Sequence, residues 1–279
     1  MNKITVMTYN ILAQPLADLM IDNNIYTKKI MNEKYRLELI LKKLKKAIKY
    51  TGNLVICLQE VSEEWLPELA TFFSEFEYKY INIQYGRSFN GNMGVLIAYP
   101  YNIYTITSSE FYNVGQHIIV TDEISARAAG KQNIAILLIL QIKKTLEKIG
   151  IVTYHMPCEY TIPLIGKTHC KVLLRKINKY MGDIDWIWGG DFNMTPDSYP
   201  YKYIIKFVNC IWRDIYNSYP ITNHAYIKEI EFKGCLDYIF YPKSNIKCIN
   251  VSEVTNVKNI IPDKKEPSDH IPIMATFKY

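Results

Sequence analysis

Six short apolar runs in this chain each break at polar residues: Asn10, Glu60, His155, Asp191 with Asn193, Asp237, and Asp269 with His270. Runs of that length without helical spacing read as strands buried on both faces, and such strands need helices to cover them. The pattern points to an α/β chain with polar residues collected at strand ends, where open α/β sheets place their chemistry. The stretch 185–193, Asp-Trp-Ile-Trp-Gly-Gly-Asp-Phe-Asn, shows it best. Residues 186–188 read as a buried strand, and Gly189 and Gly190 as a sharp turn that lets the backbone approach a ligand. Asp191 and Asn193 follow in a tight loop, where a carboxylate and an amide can address a water and a phosphate together. Taken alone, the stretch reads equally as an Asx turn in which Asp191 bonds its own backbone. The other five positions favour chemistry.

Helical patterns alternate with these runs. Leu37, Ile40, Leu41, Leu44 and Ile48 recur at helical spacing and predict a helix over 33–50. Lys42, Lys43, Lys45, Lys46 and Lys49 fall largely elsewhere on that helix and read as its solvated face rather than a nucleic-acid patch. Gly52 closes the helix, a strand follows at 54–58, and Ser62 with Glu63 and Glu64 reads as the capped start of another helix. Strands are read at 95–98 and 133–141, a glycine-rich loop at 86–94, and a hairpin connection at 143–150 into a strand at 151–155. Helices are read at 167–181 and 198–207, and strands at 236–241, 247–254 and 271–277. No repeat, linker or low-complexity segment divides the chain, so residues 1–279 read as one domain.

Composition narrows the class further. Hydrophobic residues at 49% and charged residues at 22% are ordinary for a folded chain, which argues against disorder. The net charge of +6 suits a polyanionic substrate without identifying one. Six cysteines lack the paired spacing of a zinc site. Cys57 and Cys235 fall in apolar, strand-like runs, where a thiol packs as a small hydrophobe. The amino terminus lacks a signal-peptide pattern, and the longest apolar run, 134–140, is too short to cross a bilayer. The expected setting is cytoplasmic, away from membranes.

Together the six positions hold what phosphodiester hydrolysis requires. Glu60 and Asp269 offer hard oxygen ligands for magnesium or manganese. Asp191 and Asn193 can hold an attacking water, and His155 and His270 can donate to non-bridging phosphate oxygens. Asp237 can orient a histidine, as carboxylates do in hydrolase triads.

Five ordered motifs carry a family resemblance: Thr8-Tyr9-Asn10-Ile11-Leu12-Ala13-Gln14, Leu58-Gln59-Glu60-Val61, Gly190-Asp191-Phe192-Asn193, Leu236-Asp237-Tyr238 and Ser268-Asp269-His270. In this order they resemble the endonuclease/exonuclease/phosphatase superfamily over essentially the whole chain. The opening motif, with Tyr35-Arg36 beginning the next helix, is most similar to the branch of nocturnin, Angel and the Ccr-type deadenylases. The resemblance implies a four-layer αββα sandwich, with two mixed β-sheets packed face to face and flanked by helices. It implies Glu60 as the principal magnesium ligand, with Asn10 and Asp269 close to the metal. Asp191 resembles the residue that positions or deprotonates the water, assisted by Asn193. His270, partnered by Asp237, resembles the histidine that bonds the scissile phosphate. His155 occupies a strand end that is histidine in this branch. Met156-Pro157-Cys158-Glu159 then departs from it, because the branch tends to be basic there.

The leading expectation is a magnesium-dependent phosphodiesterase acting on nucleic acid, a deadenylase-like 3′-to-5′ exoribonuclease with single-stranded RNA as its partner. Asn10, Asn193, His155 and Arg87 are the expected phosphate or substrate contacts. Phe89, Tyr160, Tyr199 and Tyr201 are candidate stacking surfaces for bases. The alternatives are a phosphatase or lipid/nucleotide phosphodiesterase of the same superfamily, a DNA-repair endonuclease, and a non-catalytic binding module that kept the fold. The last is disfavoured, because every expected polar position is filled.

Overall fold

The computed structural model describes residues 2–21, 24–227, 229–254 and 257–279. The first half runs β1 (Lys3–Asn10), α1 (Gln14–Leu19), α2 (Glu33–Thr51), β2 (Leu54–Val61), α3 (Leu66–Glu75), β3 (Tyr78–Gln84), β4 (Gly94–Pro100), β5 (Tyr104–Asn113), α4 (Glu123–Ala129) and β6 (Ile134–Ile142). The second runs β7 (Lys148–His155), α5 (Pro163–Met181), β8 (Trp186–Asp191), α6 (Tyr199–Ile204), β9 (Val208–Cys210), β10 (Asn223–Ile227), β11 (Ile230–Gly234), β12 (Asp237–Pro242), β13 (Lys247–Val251) and β14 (Ile273–Lys278).

Two six-stranded sheets form, ordered β13-β14-β1-β2-β4-β3 and β5-β6-β7-β8-β12-β9, with β10-β11 as a separate ribbon. Each sheet is mixed through one parallel pair, β1 with β2 and β7 with β8. Strand alternation sorts the side chains. Ile4 and Val6 of β1 and Val55 and Cys57 of β2 share one core with Ile136, Leu138 and Ile151 of the second sheet. Met7, Tyr9, Ile56 and Leu58 instead pack with Ile40 and Leu44 of α2 and Leu69 and Phe73 of α3. Cys170, Leu173 and Ile177 of α5 cover the second sheet. The result is the expected αββα sandwich.

Local chemistry sets the element ends. Asn32 caps α2 by accepting from Tyr35 N–H, and Gly52 ends it in left-handed backbone at φ 68°. Lys43 departs from the expected solvated face, pairing with the buried Glu266 at 2.7 Å. Ser62 does not cap a helix; its hydroxyl accepts from Gln14 N–H at 3.0 Å, and a 3-10 turn leads into α3. The expected helix at 198–207 shortens to α6, and the strand at 247–254 ends at Val251. Cys235 lies buried between β11 and β12 rather than within a strand. Among the described residues, no helix is long and apolar enough to cross a membrane.

Gly189 and Gly190 are not a turn. Both lie inside β8, where a Cβ on Gly189 would stand 3.1 Å from Thr8 Cβ of the facing sheet. A Cβ on Gly190 would meet the Tyr154 carbonyl oxygen at 2.1 Å. The glycines therefore permit close packing, and that closeness brings the two sets of strand ends together. Gly190→Ala should lower stability by about 3 kcal/mol through overpacking. Gly166→Ala, in α5 with only Pro200 at 3.5 Å, should be neutral or gain up to about 1 kcal/mol. Urea unfolding of the two variants checks this; equal stabilities would contradict it.

Candidate active site

The parallel pairs β1-β2 and β7-β8 finish at one end of the sandwich, and the site lies there. Register sets His155 beside Asp191 and Asp191 opposite Asp237. Asp237 opens β12 rather than ending a strand, as the sequence suggests; β12 is antiparallel to β8, so its start reaches the same edge. Asp269 and His270 likewise precede β14, which is antiparallel to β1.

Glu60 arrives by a less regular route. Alternation would send its side chain with Leu58 toward the helices. Instead its backbone is left-handed at φ 57°, and the pairing of β2 with β4 shifts between Gln59 and Val61. This bulge turns the carboxylate inward, a device that re-aims side chains beside active sites. Glu60 Oε1 accepts from Asn10 Nδ2 at 2.9 Å, and Oε2 from Ala13 N–H at 3.1 Å. Leu12 and Asn193 also carry positive φ, 55° and 45°. Non-glycine residues seldom hold that conformation unless their surroundings impose it.

Asn10 serves as the hub. Its Nδ2 donates to Glu60 and also to Asp191 Oδ2 at 3.0 Å, while its Oδ1 accepts from Leu12 N–H at 2.9 Å. The amide thus bridges the two carboxylates. His155 Nε2 lies 3.5 Å from Asp191 Oδ2 and 3.7 Å from Glu60 Oε1, and its Nδ1 meets the Tyr85 hydroxyl at 2.9 Å. Asn193 N–H donates to Asp191 Oδ1 at 2.9 Å. Its side-chain amide is set by Met156 O at 2.8 Å and the Tyr160 hydroxyl at 2.9 Å.

His270 completes the group, its Nδ1 2.8 Å from Asp237 Oδ2 and its Nε2 3.6 Å from Asp191 Oδ2. Burial by itself would lower the His270 pKa, but Asp237, Asp191 and Asp269 together outweigh it and hold the imidazolium well above the ordinary histidine value. Burial pushes Asp269 above the usual carboxylate range; His270 opposes this, and Glu60 and Asp191 add to it.

Supporting residues carry little sequence signal. Thr222 Oγ1 accepts from both Leu236 and Asp237 N–H, at 2.9 and 3.1 Å. Ser268 Oγ donates to Asn10 O at 2.7 Å and accepts from His270 N–H at 3.1 Å. Asn223 Nδ2 donates to Asp269 Oδ2 at 3.3 Å. Arg36, wholly buried, donates to Ile11 O, Leu12 O, Pro267 O and Gln14 Oε1 at 2.6–2.8 Å, tying both site loops together. Tyr85 and Asn223 give no signal in the sequence, since neither ends an apolar run; Arg36 was visible only as part of a motif.

Beside Asn193 lies a slot of about 200 Å³ walled by Tyr160, Phe192, Met194 and Pro200. Tyr160 and Phe232 have ring centroids 6.2 Å apart. Phe89 and Tyr199 are exposed, as stacking would need, but Tyr201 is buried with its hydroxyl on Tyr219, which removes it as a stacking surface. Arg87 is exposed in the loop after β3, and its guanidinium has no hydrogen-bond partner or ion pair among the described residues. Glu63 N–H holds that loop to the end of β2 through Gly91 O at 3.1 Å. Glu159, the acidic departure, is bonded to Lys131 and lies 3.8 Å from Arg127, so positive charge reaches this wall from α4 and the residues just after it.

The donor set suits a hard divalent cation. Glu60, His155 and Asp191 offer ligand atoms within 4.8 Å of one another, as do Asp191, Asp237 and His270. Asp269 belongs to neither group. Asp237 Oδ1 and Asn223 Oδ1 are buried without a hydrogen-bond partner among the described residues. Clustered buried carboxylates are costly unless paired with positive charge, and hard oxygens are what magnesium and manganese take.

The endonuclease/exonuclease/phosphatase family matches residues 7–270, and the chain belongs to it. It is a hydrolase of that metal-dependent family. RNA exonuclease NGL1 of Saccharomyces cerevisiae is 22% identical over 99% of this chain and 93% of its own length. The human nocturnin catalytic domain with bound sulfate shares the fold with a TM-score of 0.75 at 21% identity, covering 99% of this chain and 94% of that one. ANGEL2, a 2′,3′-cyclic phosphatase, in complex with adenosine-2′,3′-vanadate, has a TM-score of 0.80 at 19% identity, covering 99% and 95%.

The histidine gives a direct test. Asp237→Asn should move the His270 titration, followed by NMR in metal-free protein, down by roughly 1–3 on the pH scale. Because the folded value is raised, stability supplied by the charged pair is complete below the unfolded histidine value and is lost as pH rises through the folded one. An unmoved titration would show that the pair is not coupled.

Proposed function

We propose that this chain is a magnesium-dependent phosphodiesterase that removes nucleotides from the 3′ end of single-stranded RNA, with manganese as a substitute cation. The observation that carries the reading is the convergence of Glu60 and Asp191 on the Asn10 amide, with His270 3.6 Å from Asp191 Oδ2. Asp191 Oδ2 orients a water and takes its proton as the water oxygen bonds to phosphorus. The phosphorus–oxygen bond to the 3′ oxygen of the preceding nucleotide breaks, and that oxygen takes a proton from solvent. His270, held charged by Asp237, and His155, held by Tyr85, donate to non-bridging oxygens as negative charge grows there. Asn193 and Arg87 contact the substrate phosphates. A cation held by Glu60, with Asp269 nearby, supplies electrostatic stabilisation of that charge when bound.

Two features support RNA ends. The slot beside Asn193 has room for little more than one base, and Tyr160, whose ring centroid is 6.2 Å from that of Phe232, supplies an aromatic wall. NGL1 is an RNA exonuclease, and the ANGEL2 structure holds an adenosine-2′,3′-vanadate. The latter favours a second reading, in which the same groups open a 2′,3′-cyclic phosphate at an RNA terminus.

Oligoadenylate labelled at its 5′ end, carrying either a 3′-hydroxyl or a 2′,3′-cyclic phosphate, separates the readings. The 3′-hydroxyl substrate should shorten one nucleotide at a time with magnesium and remain intact in chelator. Asp191→Asn should keep fold and RNA binding yet lose about 10³-fold in turnover, as positioning and proton transfer fail together. Opening of the cyclic end without shortening would favour the second reading. Internal cuts, or phosphate released from inositol phosphates with RNA intact, would overturn the first.

A further inference from the structure

Away from the strand ends, a groove of about 340 Å³ runs between α5 and the segment that leads into α4. Lys167, Lys171 and Arg175 line it, spaced four residues apart on α5. Four helical residues rise about 6 Å, comparable to the spacing of successive phosphates in an extended single strand. Neighbouring cations are spoken for: Lys176 pairs with Glu110 at 2.6 Å, and Lys131 with Glu159. Lys167, Lys171 and Arg175 have no carboxylate partner among the described residues. Asp122 is the acidic residue in the groove wall, and its carboxylate is occupied in capping α4 through Ser125 N–H at 2.7 Å.

The groove is joined to the candidate active site by α5 itself. Pro163 and Gly166 wall the slot beside Asn193, and Leu164, Lys167 and Thr168, on the same turns, wall the groove. At the junction Lys167 donates to the Tyr199 hydroxyl at 2.9 Å, with its ammonium 4.8 Å from the Tyr199 ring centroid and 5.4 Å from that of Tyr203. Tyr199 stays exposed, so it offers a face to a base leaving the slot. Cations interleaved with an aromatic platform are the arrangement that holds single strands without reading sequence.

We propose that this groove is a second RNA-binding site, holding phosphates upstream of the nucleotide in the active site. Lys167, Lys171 and Arg175 contact successive phosphates, and Tyr199 stacks the base between slot and groove. The proposal rests on the RNA reading of the active site. Ile119 and Val120, exposed at the groove edge, would also suit an anionic membrane surface. Continuity with the slot and the exposed Tyr199 favour a single strand.

The test compares the parent with a triple variant, Lys167→Gln, Lys171→Gln and Arg175→Gln, whose unfolding midpoint is checked first. Binding of fluorescent oligoadenylates of about fifteen and about four nucleotides is measured in chelator, across a salt series. Loss of three single-strand phosphate contacts should weaken the long oligonucleotide about tenfold and lower its salt-dependence slope by about 2. Binding of the short one, and hydrolysis of bis(p-nitrophenyl) phosphate with magnesium, should be unchanged. Unchanged affinity and slope for the long oligonucleotide would overturn the proposal. So would loss of binding only to phosphatidylserine vesicles, which would assign the groove to a membrane. If the parent binds the long RNA through this groove but cleaves no RNA, the active-site reading fails while the groove stands.

Discussion

A single amide joins the two halves of this molecule at the candidate site. Asn10, at the end of β1, spends both N–H bonds on carboxylates, one to Glu60 in its own sheet and one to Asp191 in the facing sheet. Two buried carboxylates brought this close repel each other, and each loses water on burial. The amide offsets part of that penalty with two charge-assisted hydrogen bonds, and a divalent cation would offset more. The sandwich must therefore close tightly enough for one side chain to reach across it. Gly189 against Thr8, and the polar chain from Thr8 through Gln59 to Thr153 at 3.1 and 2.9 Å, set that separation just below the site.

The site is also braced from behind. Among the described residues Arg36 has no carboxylate partner within hydrogen-bonding reach, and its four bonds go to three loop carbonyls and Gln14. It fixes residues 11–14, which follow Asn10, to Pro267, which precedes Asp269. Glu266 repeats the theme one step away, accepting from Tyr9 at 2.8 Å and pairing with Lys43 of α2. Both loops of the candidate site thus hang from the core between α2 and the first sheet. Ser268 closes the last gap by bonding Asn10 O. Rigid supports of this kind are what a preorganised electrostatic site needs.

Much of this was legible in the sequence, for a physical reason. Strands covered on both faces must be apolar, so a polar residue at the end of such a run stands out; Asn10, His155 and Asp191 do, and each ends a strand. Glu60 was found as well, but not its orientation. Its inward turn depends on a left-handed backbone and a bulge against β4, which are tertiary properties without a local code. Asp237 was identified with its direction reversed, because antiparallel pairing brings a strand's start to the edge where its neighbours end. The paired glycines read as a turn in the sequence but lie inside β8, since glycine serves a turn and a close approach equally well. Tyr201 reads as a surface ring in the sequence, and its burial comes from tertiary packing against Tyr238 and Phe240 of β12. Tyr85 and Asn223 hold other side chains and Thr222 holds two backbone N–H groups, and neither their types nor their spacing differ from ordinary strand and loop residues.

If Asn10 assembles Glu60 and Asp191 into a cation site, loss of either Asn10 or Glu60 weakens the binding of a divalent cation. Manganese affinity, read by electron paramagnetic resonance in a double-mutant cycle of Asn10→Ala and Glu60→Gln, tests it most directly. Removing a ligand or the group that orients it typically weakens metal binding by about 10–100-fold. Each single variant should fall in that range while remaining folded. The double variant should be little worse than Glu60→Gln, because Asn10 acts through the carboxylates it holds. Parent-like manganese affinity in Glu60→Gln, or strictly additive losses in the cycle, would contradict that assembly.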